Sequence, residues 1–200
     1  MAGRAVAQAE KKGKRRRATF VFPDESGFSQ RPSVRRTWAP RGQTPVLREA
    51  FNWKRFSAIG ALACNAKGER GRLFLSLQPG NIRGLHIKAF LRSLRRHLKG
   101  RVILVWDGLP AHRSADVEGF LGQQRHWLEV HRFPAYAPEL NPMEYVWGQL
   151  DNIELANFCP DNMEVLASQV RRGVRRIRRR PDLAKAFLKH SGLFPELLLY

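Results

Sequence analysis

Short apolar runs separated by Gly, Pro or charged residues dominate the first half of the chain. Four such runs follow one another: Thr19–Phe22, Arg35–Trp38, Phe56–Cys64 and Leu73–Leu77. Apolar runs of this length, bounded by turn-forming residues, are typical of β-strands. The pattern therefore predicts a meander of antiparallel strands.

Helical spacing begins further along the chain. From Ile82 to Leu98 apolar residues recur at helical intervals among basic side chains, and Gly100 follows as a stop signal. Val102–Trp106 is apolar without alternation, which is typical of a strand buried on both faces. Trp127–Phe133 predicts one more short strand.

The last third of the chain is predicted to be mainly helical. A Pro-rich loop runs from Pro134 to Pro142, and Asn141 with Pro142 opens a helix. One face of that helix carries Met143, Val146, Trp147, Leu150 and Ile153. The order of elements predicts an α/β fold of the ribonuclease-H-like kind, with a mixed five-stranded sheet flanked by helices.

Composition adds a strong charge imbalance. The 200 residues contain 36 Lys and Arg against 17 Asp and Glu, a net charge of +19. This charge predicts a polyanionic partner, which could be DNA, RNA or an anionic membrane. No run approaches the roughly 20 apolar residues of a membrane span. Two cysteines make neither a disulfide framework nor a four-ligand zinc site, and no secretory signal is evident, so we expect a cytoplasmic location.

Three acidic residues stand where predicted elements begin or end. Asp24 closely follows Thr19–Phe22. Asp107 directly follows Val102–Trp106, and Glu144 lies in the first turn of the helix after the Pro-rich loop. Functional sites gather at strand ends of α/β sheets, and carboxylates suit Mg²⁺ or Mn²⁺. The three acids are therefore predicted to form a metal-dependent site for phosphodiester chemistry.

Each acid also has an ordinary structural interpretation. Asp24 and Asp107 lie close to Gly, which is usual in turns. Glu144 falls at the third helical position after Asn141, where Glu commonly completes a capping box. Three nearby acids compete as ligands: Glu25, Glu139 and Asp151.

The residues around the three acids make the pattern more specific. Together they closely resemble the catalytic domain of bacterial insertion-sequence transposases of the mariner superfamily. The match runs from about Thr19 to Leu155. Four blocks in the family's order carry it: Phe22-Pro-Asp-Glu-Ser-Gly-Phe28, Arg36-Thr-Trp-Ala-Pro-Arg-Gly42, Val105-Trp-Asp-Gly-Leu-Pro-Ala-His112 and Pro134-Ala-Tyr-Ala-Pro-Glu-Leu-Asn-Pro-Met-Glu-Tyr-Val-Trp147.

The resemblance implies a DNA transposase with a DDE motif. Asp24, Asp107 and Glu144 match the family's catalytic and metal-binding positions, with Mg²⁺ or Mn²⁺ as cofactor. The implied reaction is cleavage of DNA strands at transposon ends, followed by transfer of the freed 3′-hydroxyl into target DNA. A homodimer on DNA, associated with the bacterial nucleoid, is the expected working form.

One departure from the family concerns the N-terminal region. Family members resemble two-part proteins in which helix-turn-helix modules precede the catalytic domain, whereas a short basic segment precedes Thr19 here. A separate helix-turn-helix chain is one explanation. The alternative is a catalytically inactive, truncated remnant that binds nucleic acid non-specifically.

The predicted organisation has three parts. Residues 1–18 form a basic flexible tail, 19–158 the ribonuclease-H-like catalytic domain, and 159–200 a basic helical C-terminal extension. Four tryptophans are predicted to pack in the core: Trp38, Trp53, Trp106 and Trp147.

Several basic residues are candidates for DNA contact. Arginine suits phosphate because its guanidinium makes bidentate hydrogen bonds. The candidates are Arg41, His112, Arg113, Arg171, Arg172, Arg175 and Arg176. A solvated surface is the alternative for Arg41 and Arg113, and a surface or structural role is the alternative for His112.

Overall fold

The computed structural model describes residues 18–48, 54–134 and 137–194. Three strands come first along these ranges, and helices alternate with two further strands after them. The strands are β1 (Thr19–Ser29), β2 (Arg55–Cys64), β3 (Arg72–Pro79), β4 (Val102–Trp106) and β5 (Leu128–Arg132). The α-helices are α1 (Gly84–His97), α2 (Ala115–Gln123), α3 (Pro142–Gln149), α4 (Met163–Arg178) and α5 (Pro181–His190).

All five strands form one mixed sheet in the order β3-β2-β1-β4-β5. β2 pairs antiparallel with β1 on one side and with β3 on the other, as the meander predicted, while β1, β4 and β5 run parallel. The predicted α/β, ribonuclease-H-like fold with a mixed five-stranded sheet is therefore confirmed.

Helices cover both faces of this sheet. On one face α1 and α2 pack over a cluster that includes Val21, Leu104 and Trp106. On the other face α3, α4 and α5 pack over a cluster that includes Phe22 and Val105. Successive residues of a strand point to opposite faces, so the uninterrupted apolar run of β4 follows from burial on both sides.

The helices of the C-terminal region share the second cluster. Val170 and Ile177 of α4 and Leu188 of α5 are buried with the sheet residues rather than in a core of their own. A division between a catalytic domain ending at residue 158 and a C-terminal extension beginning at residue 159 is a proposal about the organisation of the chain. The proposed tail lies outside the described residues except for Ala18, which is buried.

The predicted strand Arg35–Trp38 is wrong. This segment has no regular secondary structure, and Trp38 is fully exposed, so its predicted core role is also wrong. The backbone N–H of Arg35 donates instead to the side chain of Asn157, and an isolated bridge joins Ser33 to Ala156. Those contacts hold the segment away from the sheet. Trp106 and Trp147 are buried as predicted, and Trp53 lies outside the described residues.

The predicted apolar face of α3 is wrong at its C-terminal end. After Gln149 the helix widens into a π-turn over Leu150–Glu154. The extra residue in this turn shifts the helical phase, which exposes Ile153 and buries Glu154. Glu154 is paired there with Arg176 at 2.9 Å.

Candidate active site

The first strand positions Asp24 in an almost fully buried setting. Asp24 pairs across the sheet with Gly60 of β2. Its Oδ1 accepts a hydrogen bond from the backbone N–H of Glu25 at 2.9 Å, and its Oδ2 accepts one from Nε1 of Trp147 at 3.0 Å. The carboxylate is thereby fixed from both sides.

Gly60 makes room for the helix that carries Glu144. A Cβ at this position would overlap Cε of Met143 and would lie 2.6 Å from Cη2 of Trp147. Because no side chain intervenes, α3 approaches the backbone of β2 closely enough for Trp147 to reach Asp24. Neither Gly60 nor the hydrogen bond of Trp147 was predicted, because only the pairing of Gly60 with Asp24 reveals them.

Asp107 lies beside Asp24 at the C-terminal edge of the parallel strands. The two strands are in register at Val21 and Leu104, and each aspartate follows its residue of that pair by three positions. Oδ1 of Asp107 accepts a hydrogen bond from the backbone N–H of Leu109 at 3.2 Å. Its side chain is 39% exposed, so one part of the carboxylate faces solvent.

Glu144 projects from the first turn of α3. The side chain of Asn141 caps this helix by accepting a hydrogen bond from the backbone N–H of Met143 at 3.1 Å. Glu144 itself is exposed. The cap is thus supplied by Asn141, and the Glu144 carboxylate is available at the surface.

The pKa shifts place Glu144 within electrostatic reach of both aspartates. Burial, then the charge of Glu144, raises the pKa of Asp24 to about 7. Burial, then the charge of Asp107, raises the pKa of Glu144. Glu144 is therefore coupled to both aspartates.

A buried histidine, His112, contacts the carboxylate of Asp107. Nδ1 of His112 lies 2.6 Å from Oδ1 of Asp107, at an angle that departs from a hydrogen bond, and its Nε2 lies 2.9 Å from Oε1 of Glu25. The imidazole stacks on the indole of Trp106 with ring centroids 4.1 Å apart. His112 thus joins the middle of β1, where Glu25 lies, to Asp107 directly after β4; Asp24 and Glu25 are within β1, which continues to Ser29 rather than ending at Phe22.

This contact controls two further pKa values. Burial works to lower the pKa of His112, but Asp107 and Glu25 outweigh it and raise that pKa to about 9. Burial works to raise the pKa of Asp107, but His112 and the backbone N–H of Leu109 together lower it. At neutral pH an imidazolium is therefore paired with the ionised Asp107.

The donor set fits a hard divalent cation. Three carboxylates from separate elements meet at one edge of the sheet, and their mutual repulsion is what a bound cation would relieve. Within the described ranges, no three acidic, His or Cys side chains already surround a common metal position. Closing a site from these acids thus requires adjustment of side chains, of which the exposed Glu144 has the most freedom.

The other acids considered as ligands have separate surroundings. Glu25 contacts His112 through one oxygen, while its buried Oε2 has no hydrogen-bond partner among the described residues. Asp151 lies in the π-turn, where burial raises its pKa and the charge of Arg35 opposes that rise. Glu139 belongs to a short 3₁₀ turn before α3.

The basic residues predicted to contact DNA lie in three different places. Arg41 is exposed in the segment between β1 and β2. Arg113 is exposed near the acids, and a Cβ on Gly108 would overlap its guanidinium. On the solvent side of α4 lie Arg171, Arg172, Arg175 and Arg176. His112 differs from these because its ring is buried.

Fold and site together define the class of protein. Asp24 on β1 and Asp107 directly after the parallel strand β4, with a glutamate on a helix packed across them, are an arrangement of carboxylates that could hold a divalent cation for phosphodiester chemistry on a ribonuclease-H-like sheet. The model of the DDE superfamily endonuclease family matches residues 19–165, and the chain belongs to that family. The search of curated proteins found no match.

Solved structures share the fold at low sequence identity. The mariner Mos1 paired-end complex with Mg has a TM-score of 0.66 and 17% identity, covering 98% of this chain and 59% of that chain. The Mos1 mariner paired-end complex with Mn has a TM-score of 0.60 and 20% identity, covering 96% of this chain and 61% of that chain. The catalytic domain of Mos1 mariner transposase has a TM-score of 0.52 and 17% identity, covering 96% and 92%.

Two facts limit what these matches establish. This chain spans about 60% of the length of the transposase chains in the paired-end complexes. Separately, no helix in the described part of the chain is long and apolar enough to cross a membrane.

Proposed function

We propose that this chain is the catalytic part of a DNA transposase that cleaves DNA strands and transfers them to a target. The convergence of Asp24, Asp107 and Glu144 at one sheet edge carries the proposal. Membership of the DDE superfamily endonuclease family and the shared fold with mariner transposase structures support it. One of those structures is a paired-end complex with the left transposon end, and two others are paired-end complexes with Mn and with Mg.

Asp24, Asp107 and Glu144 would hold Mg²⁺ or Mn²⁺. The bound cation would supply Lewis-acid activation of water or a 3′-hydroxyl and charge stabilisation of the leaving oxygen. The protein's own part is positional. Trp147 and the backbone of Glu25 orient Asp24, and His112 orients Asp107.

DNA would lie across this edge of the sheet. Arg113 is the exposed arginine whose guanidinium lies against Gly108, the residue after Asp107, and it can pair with a phosphate near the cleaved bond. Arg41 and the exposed arginines of α4 would contact more distant phosphates, giving affinity that depends on salt but not on base sequence. A separate helix-turn-helix chain and a homodimer on DNA complete the proposal, in a bacterial cytoplasm.

Cleavage of a transposon-end duplex with Mg²⁺ tests the proposal. The full chain, with a matching helix-turn-helix chain supplied, is expected to nick the duplex, and Asp107→Asn is expected to lose at least about 100-fold in rate. Equal nicking by both proteins would overturn the assignment. Salt-dependent DNA binding without metal-dependent nicking would favour the inactive remnant instead.

A further inference from the structure

Three strands continue well past the acidic site. From the Asp24–Gly60 pair, β1 and β2 run on together for five more positions to the Ser29–Arg55 pair. The adjacent Phe56 is paired with Pro79 at the end of β3. At about 3.4 Å per residue, this extension ends roughly 17 Å beyond Asp24.

A cleft of about 540 Å³ lies at the end of this extension. We refer to it as the tip cleft. Its lining residues are Arg55, Pro79, Gly80, Asn81, Arg83, Leu85 and His86. None of the described lining residues is acidic, so the cleft carries positive charge without local compensation from its walls.

A second cleft of similar volume, about 530 Å³, provides a contrast. It lies along the edge strand β5 and includes Arg101 and Arg125. Two acids, Glu118 and Glu129, line it as well, and Glu118 is paired with Arg132 at 3.2 Å. Charge compensation in that cleft makes it a poor site for a polyanion.

Hydrogen bonds in the tip cleft orient its polar groups. Nη2 of Arg55 donates to Oδ1 of Asn81 at 3.3 Å, which places the guanidinium over the loop after β3. Nδ1 of His86 accepts from the backbone N–H of Arg83 at 3.0 Å. Because Nδ1 of the ring accepts, the proton is on Nε2, so His86 presents a donor there.

We propose that the tip cleft binds backbone phosphates of the same DNA duplex that the acidic site cleaves. Arg55 and Arg83 would pair with phosphate oxygens, and His86 would donate one neutral hydrogen bond. A separation of about 17 Å corresponds to about five base pairs of duplex. This inference rests on the proposed function for its choice of DNA, and it adds where along the duplex the chain makes contact.

Salt-dependent binding of the full chain to a random duplex of about 30 base pairs tests the cleft without any cleavage. The double variant Arg55→Ala/Arg83→Ala is expected to lower the slope of log K against log salt by about 2 and to weaken binding at least about tenfold. The matched control, Arg101→Ala/Arg125→Ala, removes the same charge and is expected to leave the salt slope and the DNA affinity unchanged. Arg55→Lys/Arg83→Lys should restore most of the slope.

The proposal would be overturned if the two double-alanine variants lost DNA affinity equally, or if Arg55→Ala/Arg83→Ala lost none. Thermal unfolding of each variant checks that these exposed substitutions leave the fold intact. If the wild-type protein and its variants show the expected salt slopes but the protein never nicks DNA, the proposed function is wrong, whereas the phosphate-binding role of the tip cleft is supported.

The position of the contact is tested on duplexes cut back on one side of the cleaved phosphate. With about eight base pairs present on the correct side, Arg55→Ala/Arg83→Ala should reduce binding, and with about three present it should have no effect. Shortening each side in turn shows whether the tip cleft contacts the transposon DNA or the flanking DNA. A length-independent effect on both sides would contradict the five-base-pair spacing.

Discussion

The indole N–H of Trp147 donates a hydrogen bond of 3.0 Å to Oδ2 of Asp24, joining α3 directly to β1. The same helix carries Glu144 one turn earlier. Glu144 therefore cannot move as part of the helix without disturbing Asp24. This bond explains how a surface glutamate is kept in electrostatic contact with a buried aspartate.

Trp147→Phe should weaken divalent-cation binding. Phenylalanine keeps the ring packed against Phe28 but removes the donor that stabilises ionised Asp24, so the pKa of Asp24 should rise further. We expect Mn²⁺ affinity, measured by electron paramagnetic resonance, to fall about tenfold. Trp106→Phe is the control, because the buried Nε1 of Trp106 has no hydrogen-bond partner among the described residues. Equal affinities in the two variants would contradict this role of Trp147.

Gly60→Ala should push α3 away from the sheet. The added methyl group would overlap Met143 and Trp147, and overpacking of this kind costs about 1–3 kcal/mol of unfolding free energy. Nicking should fall as well, because the shift separates Glu144 from Asp24.

Gly119→Ala is the matched control for Gly60→Ala. Gly119 is exposed in α2 with open space around it, so alanine there should stabilise the protein by about 0.5–1 kcal/mol. Urea unfolding of both variants measures the difference. Similar stability changes of the same sign would contradict the close approach of α3 to β2.

His112→Phe should uncouple Asp107 from β1. The ring still stacks on Trp106, but both carboxylate contacts are lost and the partly buried Glu25 is left without its partner, which we expect to cost about 1–3 kcal/mol of unfolding free energy. Mn²⁺ affinity should fall too, because Asp107 is no longer oriented. A variant with unchanged Mn²⁺ affinity but reduced stability would show that His112 acts on the fold alone.

Stability without divalent cations should fall as pH rises through the range set by Asp24. The ordinary pKa of an aspartate is 3.8, and burial raises the pKa of Asp24 to about 7 in the folded protein, so the folded state holds the extra proton between those values. The resulting stabilisation is present below about pH 4 and lost as pH approaches 7, with a magnitude on the order of 4 kcal/mol.

The difference in melting temperature between the wild type and Asp24→Asn, measured at several pH values, isolates the contribution of Asp24 to stability. The wild type should lose stability relative to the variant from pH 4 to pH 7. Mg²⁺ should raise the melting temperature of the wild type more at pH 8 than at pH 5, because only the ionised carboxylate binds the cation. A pH-independent difference between the two proteins would refute the raised pKa.

Regular elements were predictable wherever the local pattern matched the final burial. β4 is the clearest case, since its five apolar residues are buried on both faces. Prediction failed at Arg35–Trp38, a segment of two arginines, a threonine and a tryptophan that has no strand beside it to pair with among the described residues. It also failed at Ile153, because a π-turn changes the helical phase without a signal in the apolar spacing.

The amino-acid sequence by itself determined which chemistry is available: three acids flanked by residues that resemble those of a known family. Tertiary structure decided how those acids are held. The partners of Asp24 and Asp107 include Trp147, 123 positions from Asp24, and His112, which also reaches Glu25, 87 positions away. Contacts over such distances depend on strand register and on the space left by Gly60, which no local pattern encodes.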